Sequence, residues 1–578
     1  MNSKKPLFKS RVGQALAVYI GSTWVFVEAL GFLISNYNWD PVLLDIVILL
    51  MVFGVPTTLI YASFSGRWNK KAILLHAING LLSILVLGFF IMNPHRMRPD
   101  KLRVAKLSGY EKIALPGLNS VAVLPFTNYI SDKKEDEYLL AGMHDGLITE
   151  IGKLGSIRTI SRTSTLEYAQ QKKKLKKIAK ELGVESIIEG TLVRIDTLIE
   201  WRLKLIRVFP QEELLWSHEF STSLAEIPNL YKTVTKQVAL QINQQLTPKE
   251  NQSLSLSEKV DPKAYDAFLK GHYYGGYLTR DGLERSIEFY EKAISIDSNF
   301  YLAYNGLAQA WIAMKQVNLV SPMEADPKVL KHFKRAQELN PNAAPNWALK
   351  AAIEVWTDYK WEEALKSFEK SIALDPNNPS TRLIYAHTLM ILNRWEEAWE
   401  QMTYAETIDP NNPWTIGFKA MMFLNEKKFL SASKNMEKLK ALVPDHPFAG
   451  LYTMMKNNNT FKKDAAVEEM KKLLTNTIPL ASLGPFIEDS FAKNQDFKQT
   501  IRETLNFLEQ QDGSIYLPPF LMFQFYKPIL QDDAKSLYWM ERMYQERNPN
   551  LPYLGIQGSD LIIDHPRAES ILKEIGLR

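Results

Sequence analysis

Residues 360–379 read KWEEALKSFEKSIALDPNNP, and residues 394–413 read RWEEAWEQMTYAETIDPNNP. The second stretch begins 34 residues after the first, and both close on the same five residues. Inside each, apolar side chains recur three and four apart (Trp361, Ala364, Leu365, Phe368; Trp395, Ala398, Trp399, Met402), the spacing of one face of an α-helix. Asp-Pro-Asn-Asn-Pro then stops one helix and opens the next. Proline cannot continue the first helix but suits the first turn of the second, and asparagine caps it. Working outward, Pro341, Pro376, Pro410 and Pro444 are spaced by 35, 34 and 34 residues. Ser298 holds the equivalent place 43 residues before Pro341, and the surplus predicts an inserted loop at VNLVSPMEADP, residues 317–327. Ala308, Ala352, Ala386 and Ala420 share one register of the first helices. Ala364, Ala398 and Ala432 share one register of the second, with Ala293, Ala336 and Ala405 two turns later. Small residues at a fixed register let two helix backbones approach, while Tyr290, Phe333, Phe368, Met402 and Met436 fill space toward the next unit. A single pair cannot bury its apolar faces, so neighbours stack into a curved solenoid with a concave side.

This helix–turn–helix period resembles the tetratricopeptide repeat over residues 263–446. The resemblance implies an α-solenoid whose first helices line a groove for a protein partner. On this sequence the groove positions are Asn305, Gln309, Asn346, Ile353, Trp356, His387, Met390, Trp414 and Met421. The family's basic clamp for acidic carboxyl-terminal peptides is missing, because Asn305, Leu349, Leu383 and Gly417 stand where it would be. The groove is therefore apolar and amide-rich. Trp356 and Trp414 either face a partner or pack against the adjoining repeat. Over residues 447–578 the register blurs, but amphipathic stretches such as TIRETLNFLEQ and AKSLYWMERMYQ predict degenerate helical repeats, and LIIDHPRAESILKEIGL a closing cap.

Before the repeats, SVAVLPF reads as a buried strand, DEYLLAGMHDGLITEIGKLG as a helix, SIRTIS as a strand and LKKIAKELG as a helix ended by Gly183. SIIEGTLVRI, EWRLKLIRVF and LLWSHEF follow as three meandering strands, then a long helix from EIPNLYKT onward. The imperfect alternation of RLKLIRVF suggests burial on both faces. The order β-α-β-α-β-β-β-α defines a mixed α/β domain at residues 119–247, joined to the repeats by the polar linker 248–262. Its segments, in order, resemble the TolB amino-terminal-like domain of bacterial membrane proteins that carry tetratricopeptide repeats. That resemblance implies binding or assembly and brings no catalytic motif. His144 and Asp145 could be read as catalytic, but the helical neighbours of His144 are apolar, which favours a structural role. KKKLKK, residues 172–177, reads as a solvated helix face or a contact for anionic lipid.

Residues 1–93 contain three apolar stretches, about 14–34, 42–63 and 72–92, each near the ~20 residues a helix needs to span a bilayer. Basic residues before the first and between the second and third predict a cytoplasmic amino terminus. A juxtamembrane linker, 94–118, follows. The chain has no cysteine, which excludes disulfides, thiol catalysis and cysteine-held metals, and a net charge of +5 over 578 residues is too dilute to attract nucleic acid. The expected fold class is multi-domain: three transmembrane α-helices, a mixed α/β domain and an α-solenoid of tetratricopeptide repeats. The expected function is a non-enzymatic, membrane-anchored scaffold without cofactor or metal, touching protein partners and the lipid bilayer but no nucleic acid. It would sit in the inner membrane with periplasmic domains. The alternative is a sensory or regulatory input module relaying binding through the membrane to a separate cytoplasmic protein.

Overall fold

The structure is a computed structural model. It describes residues 119–578 apart from 128–136, 170–172, 197, 243, 256–258, 277, 445–447, 451, 454–462 and 557–560. Before residue 119 it describes Tyr19 and residues 56–60, 71, 73–75 and 79, so the three expected spans and the 94–118 linker lie almost wholly outside the described residues. Among the described residues no helix is long and apolar enough to cross a membrane. The expected fold class is corrected on this point: the described chain is a five-stranded sheet followed by helical repeats, mostly helical and without a membrane-spanning layer. The physical reason is visible in its longest helix. Pro322–Leu339 carries Glu324, Lys328, Lys331, Lys334, Arg335 and Glu338, an amphipathic pattern that suits a surface helix.

Leu115–Arg578 is one compact unit. Its sheet contains β1 (Asn119–Val123), β2 (Ile157–Ile160), β3 (Ser186–Ile195), β4 (Leu198–Arg207) and β5 (Glu213–Ser223) in the order β2-β1-β3-β4-β5. β1 runs parallel to β2 and β3, and β3, β4 and β5 form an antiparallel meander in which Leu192 faces Trp201 and Trp201 faces Phe220. Helices α1 (Glu137–Gly152) and α3 (Ile227–Gln241) cover one face, where Val121, Leu192, Trp201 and Leu203 meet Met143, Leu147 and Val234. The short α2 (Leu175–Leu182) covers part of the other, against Ala122, Ile160 and Ile187. On β4 the alternation is clean: Ile199, Trp201, Leu203 and Leu205 point inward while Arg202 and Lys204 are exposed. Along RLKLIRVF, burial reaches the other face only at Ile206 and, just past the strand, Val208.

Residues Pro248–Ser255 form α4, opened by a capping box in which the Thr247 N–H donates to the Glu250 carboxylate at 2.7 Å and the Glu250 N–H to the Thr247 hydroxyl at 3.2 Å. Five helix pairs follow: α5 (Pro262–Gly275) with α6 (Arg280–Ile296), α7 (Tyr301–Gln316) with α8 (Pro322–Leu339), and α9 (Ala344–Trp356) with α10 (Trp361–Leu374). The last two are α11 (Pro379–Ile391) with α12 (Trp395–Ile408), and α13 (Pro413–Asn425) with α14 (Phe429–Leu442). The register alanines are all buried. The surplus at 317–327 differs from the expected loop. Ser321 accepts from the Glu324 N–H and Pro322 takes the first turn, so most of the insertion lengthens α8. Its Asp326 then pairs with Lys315, which is fully buried and also donates to the Thr357 hydroxyl at 2.9 Å.

Each hairpin turns through a left-handed residue: Leu278, Asn318, Tyr359, Asn393 and Lys427 have φ between 51° and 62°. The next residue's N–H reaches back over the helix end, as Arg394 N–H to Leu389 O at 2.8 Å, satisfying a carbonyl that would otherwise be orphaned.

The α/β domain and the solenoid are not separate bodies. Tyr265, Leu269 and Ala267 of α5 join the core under α1 and α3, and a Cβ on Gly142 would lie 2.6 Å from Leu269, so that glycine sets the approach. Downstream, the two DPNNP turns plug into the edge of the sheet domain. The Asn377 amide donates to Gly152 O and Ile157 O, both at 2.9 Å, while Ser164 Oγ donates to the Asp409 carboxylate at 2.6 Å and accepts from Asn411 N–H at 2.9 Å.

The carboxyl-terminal region contains α15 (Lys463–Thr477), α16 (Leu483–Asn494), α17 (Phe497–Glu509), α18 (Pro519–Phe525), α19 (Asp533–Gln545) and α20 (Pro566–Glu574). They pack around their own core of Met470, Ile487, Phe497, Phe523, Phe525 and Trp539.

Candidate functional site: the concave face and what fills it

The first helices α7, α9, α11 and α13 carry the nine expected groove residues, and these divide into three groups. Asn305, Gln309 and Asn346 form an amide ladder: Gln309 donates to Asn305, Asn305 to Asn346 at 2.8 Å, and Asn346 to Ala336 O and Asn340 O at 2.9 and 2.7 Å. Asn305 and Asn346 are buried, so their amides staple α7 to α9 and the end of α8, and Gln309 alone of the three is exposed. Ile353, Trp356, His387 and Met390 are buried. Trp414 and Met421 are half-buried, with Trp414 stacked on Phe418 at 6.1 Å and edge-on to Phe448 at 5.7 Å. Gln309, Trp414 and Met421 are thus the groove residues within reach of solvent.

The middle group is covered by this chain's own carboxyl-terminal region. A 3₁₀ turn, Leu551–Gly555, lies on α11. Its Tyr553 is buried, and its ring stands 6.5 Å from that of His387. Beside it, the Trp361 indole N–H donates to Ile575 O at 2.7 Å, and the Tyr359 hydroxyl lies 3.5 Å from Asn548 O. Nothing in the composition of the turn signals this contact. The docking role of Asn377 and Asp409 did leave a trace: DPNNP is repeated without change at the two turns that touch the sheet domain, while the turn at Pro341 reads NPNA.

His144 lies within the core. Its Nε2–H donates to Val123 O at 2.8 Å, and burial lowers its pKa to about 4. Asp145 instead meets His272 of α5 at 2.9 Å, so the two neighbours serve different contacts and form no catalytic dyad. Lys173 of the basic run pairs with Glu181 at 3.1 Å. Among the described residues no group of three or more His, Asp or Glu is placed to hold a metal ion.

No family model matches the chain. A curated protein of Rhizobium meliloti (strain 1021), named "Putative adenylate cyclase 3", is 30% identical over 156 residues, 27% of this chain. The chain spans about a quarter of that relative's length (26%). Solved structures that it resembles include YrrB, a TPR protein with an unusual peptide-binding site (19% identity, 32% of this chain, 90% of that one, TM-score 0.21). PilW, a type IV pilus biogenesis factor, gives 15% identity over 36% and 93% with a TM-score of 0.27. A thermophilic TPR protein of Thermus thermophilus, TTC0263, gives 13% over 36% and 99%, also at 0.27. YrrB and TTC0263 are named as TPR proteins. At scores of this size the likeness carries no weight by itself. The repeats are established by the chain's own paired helices, their 34-residue spacing and the recurring left-handed turn.

Proposed function

We propose that the chain is a protein-interaction scaffold rather than an enzyme. The observation that carries the reading is the solenoid: five stacked helix pairs whose first helices share a side, held to a sheet domain at the first helix and again at two later turns. Such a surface binds by area and shape. The accessible groove residues offer an aromatic and a thioether on α13, Trp414 and Met421, and an amide on α7, Gln309, suited to an extended segment with apolar and polar groups along it. The double variant Trp414→Ala, Met421→Ala reduces capture of protein partners by the full chain at least about tenfold while helix content is unchanged. Unaltered capture discards the groove.

A second reading, a regulatory module whose effector is a separate protein, is favoured by the partial match to a protein named for adenylate cyclase. It predicts that a cyclase co-purifies with the chain and that its nucleotide-cyclising rate changes when the chain is removed.

A further inference from the structure

The sheet has two edges, and the chain treats them differently. The β2 edge is covered by the solenoid. Ser161 N–H, just past β2, donates to Ile408 O at 3.1 Å, the Arg158 guanidinium donates to Thr407 O at 3.1 Å, and the Asn377 amide reaches Ile157 O. The β5 edge is open. Among the described residues β5 pairs only with β4, and its Leu214 is 59% exposed. Proteins ordinarily blunt an uncovered edge by keeping the strand short or by placing proline or lysine on it. β5 is instead the longest strand of the sheet, and ELLWSHEFSTS contains no proline, lysine or arginine. Its two glutamates turn back to β4, Glu219 to Arg202 at 2.9 Å and Glu213 to Arg207 at 3.1 Å. A bulge at Leu215 leaves Trp216–Ser223 in unbroken register with β4.

The ladder decides which backbone groups of β5 are free. Val208 N–H donates to Glu185 O at 2.8 Å, so even-numbered residues of β4 direct their backbone groups at β3 and odd-numbered ones at β5. Leu203 faces His218 and Trp201 faces Phe220, so Ser217, Glu219 and Ser221 turn their N–H and C=O groups outward. Laid antiparallel on a copy of itself about His218, this edge sets Ser217 against Glu219 of the copy, and both outward pairs of backbone groups are satisfied. The two Glu219 carboxylates then lie opposite serines rather than each other. The same register places Trp216 opposite Phe220 on both sides of the axis. These rings already form a row with His218 along one face of β5, Trp216 stacked on His218 at 6.0 Å and His218 against Phe220 at 4.6 Å, and none of the three is buried. An edge whose backbone groups, rings and charges all match its own reversed copy fits a two-fold contact. We propose that β5 pairs with β5 of a second copy of this chain about His218, joining two five-stranded sheets into one continuous sheet. The pairing goes beyond the scaffold reading and is independent of the solenoid groove.

The absence of cysteine makes the register directly testable in the full chain. Opposed residues of a non-hydrogen-bonded antiparallel pair have Cα atoms about 4.5 Å apart, within the span of a disulfide. His218→Cys should therefore give a disulfide-linked dimer under mild oxidation, read by non-reducing electrophoresis. Ser221→Cys, exposed on the same strand but facing residue 215 of the copy rather than itself, should link at least about tenfold more slowly. Sedimentation of the unaltered chain should show a dimer forming over about 1–100 μM. Ser217→Pro removes an outward N–H and leaves the bonds to β4 in place, so it should weaken that dimer at least about tenfold. Should Ser217→Pro lose secondary structure, the two cysteine chains decide. A chain that stays monomeric over the whole range overturns the pairing, including one whose edge takes a strand of another protein instead. So does His218→Cys linking no faster than Ser221→Cys, even where a dimer forms.

Discussion

In the last three of the five repeat hairpins, the left-handed residue two places before the second helix is Tyr359, Asn393 or Lys427, and five residues after it stands Ala364, Ala398 or Ala432. In the carboxyl-terminal region Gln495 and Gln531 hold the same place before α17 and α19, and five residues on stand Thr500 and Ser536, both fully buried. The hairpin is one design. Its small residue is alanine in those three repeat hairpins and a hydroxyl residue in the two carboxyl-terminal ones. Each hydroxyl is satisfied locally, Thr500 to Asp496 O at 2.7 Å and Ser536 to Asp532 O at 2.5 Å, so it serves as a small side chain without needing a partner across the helix. Stacked repeats impose the same neighbour at every step and hence a period. The carboxyl-terminal hairpins share one core around Trp539 and Phe523, and only the turn and the crossing are held in common.

The largest effects should come from that difference in core. Phe368→Ala and Trp539→Ala each empty a fully buried site and should each cost about 3–5 kcal/mol. In the repeats the loss is passed between neighbours, so hydrogen exchange should rise across α9 to α12. In the other region it should rise across α15 to α20 and spare the repeats. Uniform loss of protection over both regions in either variant would mean that they unfold as one unit, and the comparison would fail.

Where the two regions meet, pH provides a finer probe. Burial lowers the pKa of His387 to about 3, against a value near 6.5 when it is exposed. Opened chains therefore bind a proton that the closed contact refuses. The contact's full stability is present above about pH 6.5 and is lost as pH falls toward 3, at about 1.4 kcal/mol per unit, or on the order of 2 kcal/mol at pH 5. His387→Phe should remove that part of the slope in denaturant titrations at pH 7 and pH 5. His144, also held neutral in the core, supplies a parallel slope that the variant leaves in place. An unchanged slope would place the loss entirely elsewhere.

The turns of the repeats carry a further contact, with the sheet domain, that has no counterpart among the described residues of the carboxyl-terminal hairpins. Asn377→Ala strands the buried carbonyls of Gly152 and Ile157 and should cost about 1–3 kcal/mol. Its neighbour Asn378 makes contacts local to the turn, capping α11 through Thr381 N–H at 3.0 Å and donating to the Asp375 carboxylate at 3.1 Å, and Asn378→Ala should cost about 1 kcal/mol. Thermal melts that rank the two the other way would make the DPNNP turn a cap alone.

The repeats were legible because alanine, proline and asparagine each answer to one local demand, and those demands recur every 34 residues. The five strands were legible for the same reason, since β4 alternates and β1 is a short apolar run. The expected groove was legible only as a set of helix positions. Whether Trp356 or His387 meets solvent depends on where a distant carboxyl-terminal turn comes to rest, and no local pattern in LPYLG records that. The insertion at 317–327 breaks the period by its length and so suggests a loop, although its Ser-Pro-Met-Glu is itself a helix start.

The smallest effect is the most discriminating for the shared hairpin. If Thr500 and Ser536 are the alanines of the repeats in another form, Thr500→Ala and Ser536→Ala should be tolerated within about 0.5–1 kcal/mol of the unaltered chain. Each hydroxyl bonds a carbonyl of its own helix end, so its removal strands no distant group. Leucine at the same two positions, or at Ala398, should cost about 1–3 kcal/mol, because the facing helix has no room to yield. Equal tolerance of leucine at Ser536 and intolerance at Ala398, measured by urea midpoints, would show that the two hairpins cross at different depths. The common left-handed turn would then be a shared way of reversing the chain and nothing more.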